Sequence, residues 1–360
     1  MKTVKSCLLS GLLTAMSISL AAKSAAAQSE LVVVATINPL HSIVSGVMEG
    51  VGEPHLLIEG NQSPHTFNLR PTDAAILQDS DIVFAIGEAV ETPLFKYIDT
   101  LATNAKLIEM AEIEGLAMLS FRDSGDFWLE AGEDADHGHD HGESSVPTHE
   151  DEAMQEDEHA HEDEHAHEDE AMAEDEHAHE DEHAHEGEFD MHVWLDPENS
   201  AVMAQLIADT LAEADPENAV RYRENAADFE RRLHETTARL TEELAPVRGE
   251  PFIVFHDAYQ YFEKRFGLTP AGSVVINPDT MPGVRRVNEL QALIQQTGAN
   301  CVMAEPQFNP RIVNVIVEGS AARSGTLDPL GADIESGPDM LFMLYDQMAD
   351  SFLECLEHDH

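Results

Sequence analysis

One acidic stretch, residues 133–190, limits how this 360-residue chain can fold. This acidic tract holds 26 acidic residues and 12 histidines without a lysine or arginine, and residues 150–185 repeat the unit EDEHAH or a variant of it six times. With so few apolar side chains to bury, the tract cannot offset the conformational entropy lost on ordering, so we predict that it is disordered. The folded cores must therefore come from the sequence on either side of it.

Four of the six repeats end in His-Ala-His. A solvated acidic spacer needs no histidine, whereas imidazole binds zinc, copper or nickel in preference to calcium or magnesium. We therefore interpret the tract as a metal-binding segment. Its candidate ligands are His137, His139, His141, His159, His161, His165, His167, His177, His179, His183 and His185.

The formal net charge of −51 bears on the choice of partner. Nucleic acid is disfavoured as a partner, because binding phosphates requires a basic surface. The same charge attracts cations and raises their concentration near the protein. Metal ions are therefore the expected partners.

The N-terminus has the features of a secretory signal peptide. Lys2 and Lys5 precede the apolar run 7–22, and small residues end at Ala27, so residues 1–27 are predicted to be removed with cleavage near Ala27/Gln28. A membrane anchor is the weaker alternative, because serine and threonine interrupt the run and no other stretch reaches ~18 apolar residues. We expect an exported, soluble protein.

Export determines how the cysteines are interpreted. Cys301 and Cys355 remain after cleavage, an even number in an oxidising compartment, and we predict a disulfide between them. The alternative, a pair of thiolate metal ligands, matches no zinc-ligand spacing.

The sequence before and after the acidic tract alternates between apolar β-branched runs and helical patterns. Strands are predicted at 31–37, 55–59, 81–87 and 106–110, and helices after Asn38 and over 71–77 and 93–101. Such alternation indicates βαβ units with a parallel sheet. We expect a first lobe over residues 28–214, with the tract as an insertion and a helix that is capped by Asp196-Pro197 and runs through 201–214.

Residues 216–244 form a helical pattern without proline or glycine inside it. A helix of this length spans about 43 Å, too long for a sheet crossover, so we interpret residues 215–246 as a helix linking two domains. The alternation then restarts over 247–360, with strands at 252–255, 273–276, 301–304 and 325–327 and helices at 258–266, 284–298, 309–324 and 339–355. The predicted fold is α/β, with two parallel-sheet lobes joined by one long helix.

Four residues lie beyond predicted strands or before a capped helix, where α/β sheets bind ligands: His65, His192, His256 and Asp328. A single histidine in a loop is more often exposed or hydrogen-bonded than metal-bound. The separations among these four match no local metal motif, so spacing alone does not select them.

Five segments around these residues resemble the zinc-specific solute-binding proteins of ABC importers (ZnuA-type). The resemblance spans essentially the whole mature chain in the same order, including an acidic histidine-rich insertion before the second ligand segment. The segments are 63–73 (SPHTFNLRPTD), 191–197 (MHVWLDP), 254–262 (VFHDAYQYF), 304–308 (AEPQF) and 327–331 (LDPLG).

The resemblance implies a metal in the cleft between two lobes, with His65, His192 and His256 in the histidine-ligand positions and Asp328 in a carboxylate position that some members use. Some zinc members have a glutamate just before the first ligand, where this chain has Pro64, so Asp328 or a water would complete the shell. Histidine at 256 fits the zinc branch, and the two cysteines resemble that branch's disulfide.

Three neutral imidazoles and a carboxylate would close a tetrahedral zinc shell, which suits capture and delivery better than catalysis. The main alternative is a zinc hydrolase with Glu305 or Asp257 as general base, but the chain lacks His-Glu-x-x-His and Gly-x-Ser-x-Gly. We therefore interpret Asp257 and Glu305 as groups that orient an imidazole.

The expected function is zinc capture in the periplasm and delivery to the membrane permease of an ABC importer, by a monomer that is not an enzyme. The acidic tract would serve as an auxiliary, low-affinity zinc collector. A periplasmic zinc buffer or chaperone without a permease remains the other alternative.

Overall fold

The computed structural model describes residues 31–122, 189–275 and 281–357. The predicted signal peptide and almost all of the acidic tract lie outside these ranges. The strands are β1 (Val33–Ile37), β2 (His55–Ile58), β3 (Ile82–Ala85), β4 (Lys106–Glu109), β5 (Leu119–Ser120), β6 (Phe189–Asp190), β7 (Phe252–His256), β8 (Pro270–Val275), β9 (Cys301–Ala304) and β10 (Arg323–Thr326). The α-helices are α1 (Asn38–Val47), α2 (Pro71–Asp79), α3 (Glu88–Leu101), α4 (Pro197–Ala214), α5 (Ala219–Glu243), α6 (Gln260–Phe266), α7 (Val284–Thr297), α8 (Arg311–Val317) and α9 (Met340–Leu356).

The first lobe is built on a four-stranded parallel sheet in the order β2-β1-β3-β4. Its register pairs Val34 of β1 with His55 of β2 and Val83 of β3. Every residue of β1 and β3 is buried, as expected for continuous apolar strands covered on both faces. The parallel sheet predicted from the αβ alternation is confirmed.

The second lobe has its own parallel sheet in the order β10-β9-β7-β8. Cys301 of β9 is disulfide-bonded to Cys355 of α9, which confirms the predicted disulfide and ties the sheet to the last described helix. The α/β class with two parallel-sheet lobes is therefore also confirmed.

The long helix α5 runs for 25 residues and packs against α4, α1 and α9. Its Phe229 and Leu233 are buried, and the Phe229 ring lies 4.8 Å from that of Phe342 in α9. Ser42 of α1 accepts a hydrogen bond from the Leu341 amide of α9 at 3.0 Å. One hydrophobic core therefore runs from the first lobe through these helices into the second.

A short antiparallel ribbon, β5–β6, closes the base of the acidic tract. It pairs Leu119 with Asp190 and Ser120 with Phe189. The Tyr261 hydroxyl donates to the Asp190 carbonyl oxygen at 2.6 Å and accepts from the Leu119 amide at 3.1 Å. Residues 189 and 190, which close the predicted disordered tract, are therefore part of the fold, because strand pairing and this tyrosine hold them.

Several predicted boundaries are wrong. Asn38 is the first helical residue of α1 rather than its cap, a position taken by Ile37. The helix predicted over 309–324 is only Arg311–Val317, and Gly319, with φ of +78°, turns the chain into β10. The last strand therefore lies at 323–326 instead of 325–327.

Helix α3 is kinked at Glu91, where φ is −113° and ψ is 28°, and begins at Glu88, five residues before the predicted start at 93. The reason is Glu91, whose carboxylate accepts hydrogen bonds from the backbone amides of Ile86 at 2.8 Å and Gly87 at 3.2 Å. These bonds replace a cap from the side chain of the residue before the helix.

No helix in the described ranges is both long enough and apolar enough to span a bilayer.

Candidate metal centre

His65 lies on a 3-10 turn, Pro64–Thr66, which follows β2 in the first lobe. The Ser63 hydroxyl accepts a hydrogen bond from the His65 amide at 3.3 Å, and α3 packs against the turn. Pro64 restricts the backbone at the first position of the turn. This local structure holds the partly buried His65 side chain at the cleft.

His192 lies two residues after the end of β6. The Asp190 Oδ1 atom accepts hydrogen bonds from the His192 amide at 3.0 Å and from its ring Nδ1 at 2.7 Å. Asp190 is fully buried. Because a carboxylate only accepts, the proton of a neutral His192 ring lies on Nδ1 and the lone pair on Nε2.

His256 is the last residue of β7, and its environment repeats this arrangement. The Glu305 Oε1 atom, just beyond β9, accepts from the His256 ring Nδ1 at 2.6 Å and from its amide at 3.3 Å. Glu305 is 3% exposed. The second imidazole therefore also presents an unprotonated Nε2, and a buried carboxylate fixes the orientation of each ring.

The three histidines meet between the lobes, with one ligand atom from each inside 4.8 Å of the others. The Nε2 atoms of His192 and His256 are 3.4 Å apart. Tetrahedral zinc with Zn–N bonds of about 2.0–2.1 Å separates two ligand nitrogens by about 3.3–3.4 Å. The spacing of these two nitrogens fits such an ion without rearrangement.

The imidazoles line a cavity of about 20 Å³, room for about one water-sized group. Trp194 of the first lobe forms part of its wall, and its Nε1 donates to the Pro329 carbonyl oxygen of the second lobe at 2.8 Å. Phe308 packs edge-on against His256, with ring centroids 6.2 Å apart. These apolar walls lower the local dielectric and strengthen electrostatic interactions inside the cavity.

The surroundings shift two of the three imidazoles in opposite directions. Burial, with the neighbouring His192 and His256, lowers the pKa of His65 to about 3. Burial also lowers the pKa of His256, but the Glu305 carboxylate outweighs it and the net shift is upward. His65 therefore stays neutral in acid, whereas a proton competes with a metal ion at His256.

Asp328 does not join the histidine cluster in the structure. Its Oδ1 atom accepts from Gln307 Nε2 at 2.8 Å and from the Leu330 amide at 2.9 Å, and its Oδ2 atom accepts from the Ala332 amide at 2.6 Å. Within the described ranges, the metal-ligand group consists of the three histidines. Asp328 instead shapes the turn that follows Leu327.

Asp257, which was expected to orient an imidazole, is paired with an arginine in the structure. Its Oδ1 atom accepts from Arg122 at 2.9 Å, and Arg122 also pairs with the buried Glu263. Burial raises the pKa of Asp257 to about 6. Since Asp257 pairs with Arg122 and Glu305 with His256, neither carboxylate stands as a general base beside an open ligand position.

Sequence reasoning missed three residues of this site: Asp190, Arg122 and Gln307. Asp190 was assigned to the acidic tract by composition, although its position two residues before His192 was a usable signal. The eleven tract histidines that are predicted to bind metal, between His137 and His185, lie outside the described residues.

The sequence is similar to a known protein family and to individual proteins. Residues 33–355 match the family model described as zinc-uptake complex component A, periplasmic (ZnuA). The chain is 45% identical over 324 residues to the high-affinity zinc uptake system protein ZnuA of Brucella abortus, covering 90% of this chain and 91% of that protein. The Haemophilus influenzae protein of the same name is 35% identical over 345 residues, covering 96% and 98%.

Solved structures share the fold. A crystal structure of ZnuA superposes with a TM-score of 0.63 at 21% identity, covering 90% of this chain and 100% of that one. A ZnuA mutant lacking residues 138–173 of its own chain, with zinc bound, gives 0.66 at 21% identity, covering 92% and 100%. At this identity the likeness establishes the architecture of two lobes and a linking helix.

Proposed function

We infer the function from one premise: this chain belongs to the ZnuA family, the periplasmic component A of zinc-uptake complexes. It captures zinc between its lobes and delivers the ion to the membrane permease of an ABC importer. The observation that carries this proposal is the convergence of three imidazoles, with the Nε2 atoms of His192 and His256 3.4 Å apart.

His65, His192 and His256 are the proposed zinc ligands. The first two belong to the first lobe and the third to the second lobe, so a bound ion joins the lobes. Neutral imidazoles with fixed tautomers suit zinc, which prefers nitrogen ligands in tetrahedral geometry. Separation of the lobes would break this ligand set, which gives a route for release at the permease.

We assign the fourth ligand position to a water molecule rather than to Asp328. Ligation by Asp328 would compete with the hydrogen bonds that its oxygens accept from Gln307 and from the Leu330 and Ala332 amides. Losing hydrogen bonds to a charged group costs about 1.5–3 kcal/mol each. Water fills the position without that cost.

The acidic tract is proposed to collect zinc weakly, through the histidines named above. Segments that order on binding lose affinity to the entropy of ordering, so zinc on the tract would exchange quickly. Residues 119–120, which precede the tract, pair with residues 189–190 at its end, two residues before His192. This pairing supports a tract that acts beside the cleft.

We propose that the protein acts as a monomeric, non-enzymatic component in the periplasm after removal of residues 1–27. Zinc is its cargo. A buffer without a permease is less favoured, because the relatives are named as zinc uptake system proteins.

A complementation experiment tests the proposal. A strain lacking this chain, grown with a zinc chelator, is supplied with the wild type, His65→Ala or His234→Ala; His234 is exposed and pairs with Glu198 away from the cleft. We expect wild type and His234→Ala to restore growth and His65→Ala to fail, with zinc addition rescuing all strains. Restoration of growth by His65→Ala would contradict the proposed site.

A further inference from the structure

Gln307 is held in one orientation beside the histidine cluster. Its Nε2 donates to Asp328 Oδ1 at 2.8 Å. Asp328 is itself fixed by the Leu330 and Ala332 amides, at 2.9 and 2.6 Å. Because a carboxylate accepts but does not donate, the nitrogen end of the Gln307 amide must face Asp328. The amide oxygen is therefore the end that remains available.

That oxygen, Gln307 Oε1, is buried and has no hydrogen-bond partner among the described residues. Gln307 lines the same cavity as His65, His192 and His256. Leaving a buried acceptor unpaired costs about 1–3 kcal/mol. A buried acceptor without a donor, in a cavity where imidazole lone pairs converge, indicates a donor that arrives with the ligand.

A metal-bound water is such a donor. Three imidazoles occupy three corners of a tetrahedron, and Gln307 lines the same cavity as these imidazoles. The cation polarises its water and makes the O–H a stronger donor. Resting on the proposed function, we propose that Gln307 Oε1 accepts a hydrogen bond from the water that completes the shell of bound zinc, and that Asp328 orients the amide for this contact.

The charge balance gives this arrangement a functional consequence. Three neutral imidazoles, a water and an amide leave the full double charge on the ion, whereas a carboxylate ligand would halve it and hold the ion by direct attraction. The negative charges of Asp190 and Glu305 stand one imidazole away from the ion. With a neutral fourth ligand, the ion is held mainly by the positions of the three imidazoles. It is therefore released when the lobes separate.

The variant that tests the proposal is Gln307→Met, which keeps the side-chain length but removes the acceptor. The matched control is Gln205→Met, at an exposed glutamine of α4 that bonds to Glu230. Zinc affinity is measured on the mature protein by chelator competition, the ligand atoms by zinc X-ray absorption, and the environment of the metal by the visible d–d absorption of the Co²⁺-loaded protein.

We expect Gln307→Met to weaken zinc binding by roughly 10- to 100-fold, as for other groups that support metal ligands. The X-ray absorption should retain three nitrogens and one oxygen, and the Co²⁺ bands should shift, a change that a purely structural role away from the metal would not produce. Asp328→Asn should give a smaller change of the same kind. Gln205→Met should match the wild type.

Unchanged affinity and Co²⁺ bands in Gln307→Met would overturn the water-acceptor role. If the zinc in that variant lost one first-shell ligand, the Gln307 amide itself would be the wild-type ligand, and the water-acceptor role would also be overturned. His65→Ala separates this failure from failure of the proposed function. If His65→Ala loses tight zinc while Gln307→Met does not, only the role of Gln307 is wrong; if both keep it, the cleft is not the zinc site.

Discussion

The Nε2 atoms of His192 and His256 lie 3.4 Å apart, although the ring Nδ1 of each already donates to a buried carboxylate. Two unprotonated nitrogens at this separation direct their lone pairs toward the same space. The two lone pairs repel each other unless a cation binds between the two rings. Asp190 and Glu305 fix the tautomers that direct both lone pairs into this space, and they are therefore part of the site.

Asp190→Asn should weaken zinc binding by roughly 10- to 100-fold, because the amide still accepts from Nδ1 but no longer places a negative charge behind the ring that faces the ion. Chelator competition measures the change. Asp209→Asn, which alters an exposed carboxylate paired with Arg223, is the matched control. Equal affinities for the two variants would contradict a supporting role for Asp190.

Zinc binding should weaken in acid through His256. Its pKa is raised and that of His65 is lowered to about 3, so protons compete at His256 first, as pH falls through a value above the ordinary 6.5. Glu305→Gln removes the charge that raises this pKa. The variant should bind zinc less tightly at neutral pH, and its acid loss should move to lower pH. Zinc affinity is measured over a pH series. If Glu305→Gln lost affinity at the same acid pH as the wild type, this assignment would be contradicted.

Glu91 should make stability depend on pH. Burial raises its pKa from 4.5 to about 7, so its native-state contribution is full below 4.5 and is lost as pH rises through 7. Glu91→Gln cannot ionise, and above pH 7 it should raise the free energy of unfolding by roughly 3 kcal/mol at most. Urea unfolding at two pH values measures the effect. The exposed Glu88→Gln in the same helix is the matched control, and the same change in stability in both variants would exclude this cause.

Removing the disulfide should destabilise the protein without changing the zinc site. Cys301 and Cys355 are 54 residues apart, and closing a loop of this length contributes about 4 kcal/mol in the chain-entropy model. The double variant Cys301→Ser with Cys355→Ser should unfold at lower urea concentration than the wild type while keeping one tight zinc. Loss of tight zinc under native conditions would show that the bond also supports the cleft.

Two deletions distinguish the acidic tract from its base. Removing residues 133–187 should lower the number of weakly bound zinc ions and leave the tight one, because β6 and Asp190 remain. Removing residues 133–190 should also weaken the tight site, because Asp190 holds His192. Zinc titrations of the two proteins make the comparison. Equal tight affinities would contradict the contribution of Asp190.

Much of the fold was predictable because its signals are local. Continuous apolar runs such as β1 and a long proline-free helix such as α5 identify themselves by composition and period. The ligand histidines were assigned by resemblance, since residues as far apart as His65 and His256 come together only in the folded chain. Element ends were less accurate, as at α8.

Two roles at the site depend on contacts that only the folded chain makes. Asp328 was predicted as a ligand from its resemblance to a carboxylate position, and in the structure its carboxylate accepts hydrogen bonds from backbone amides of a turn. Asp190 appeared to be part of the acidic tract, yet it pairs with a strand about 70 residues earlier in the chain. In both cases the role depends on a backbone group or on a partner that is distant in the sequence. Amino-acid composition does not reveal such partners.

Zinc stoichiometry and affinity of the mature protein, measured against a competing chelator with and without His65→Ala, test the central claim most directly. The wild type should bind one zinc tightly and several weakly, and His65→Ala should lose the tight one and keep the weak ones. If His65→Ala retained the tight zinc, the cleft between the lobes would not be the capture site, and the acidic tract would account for the metal binding.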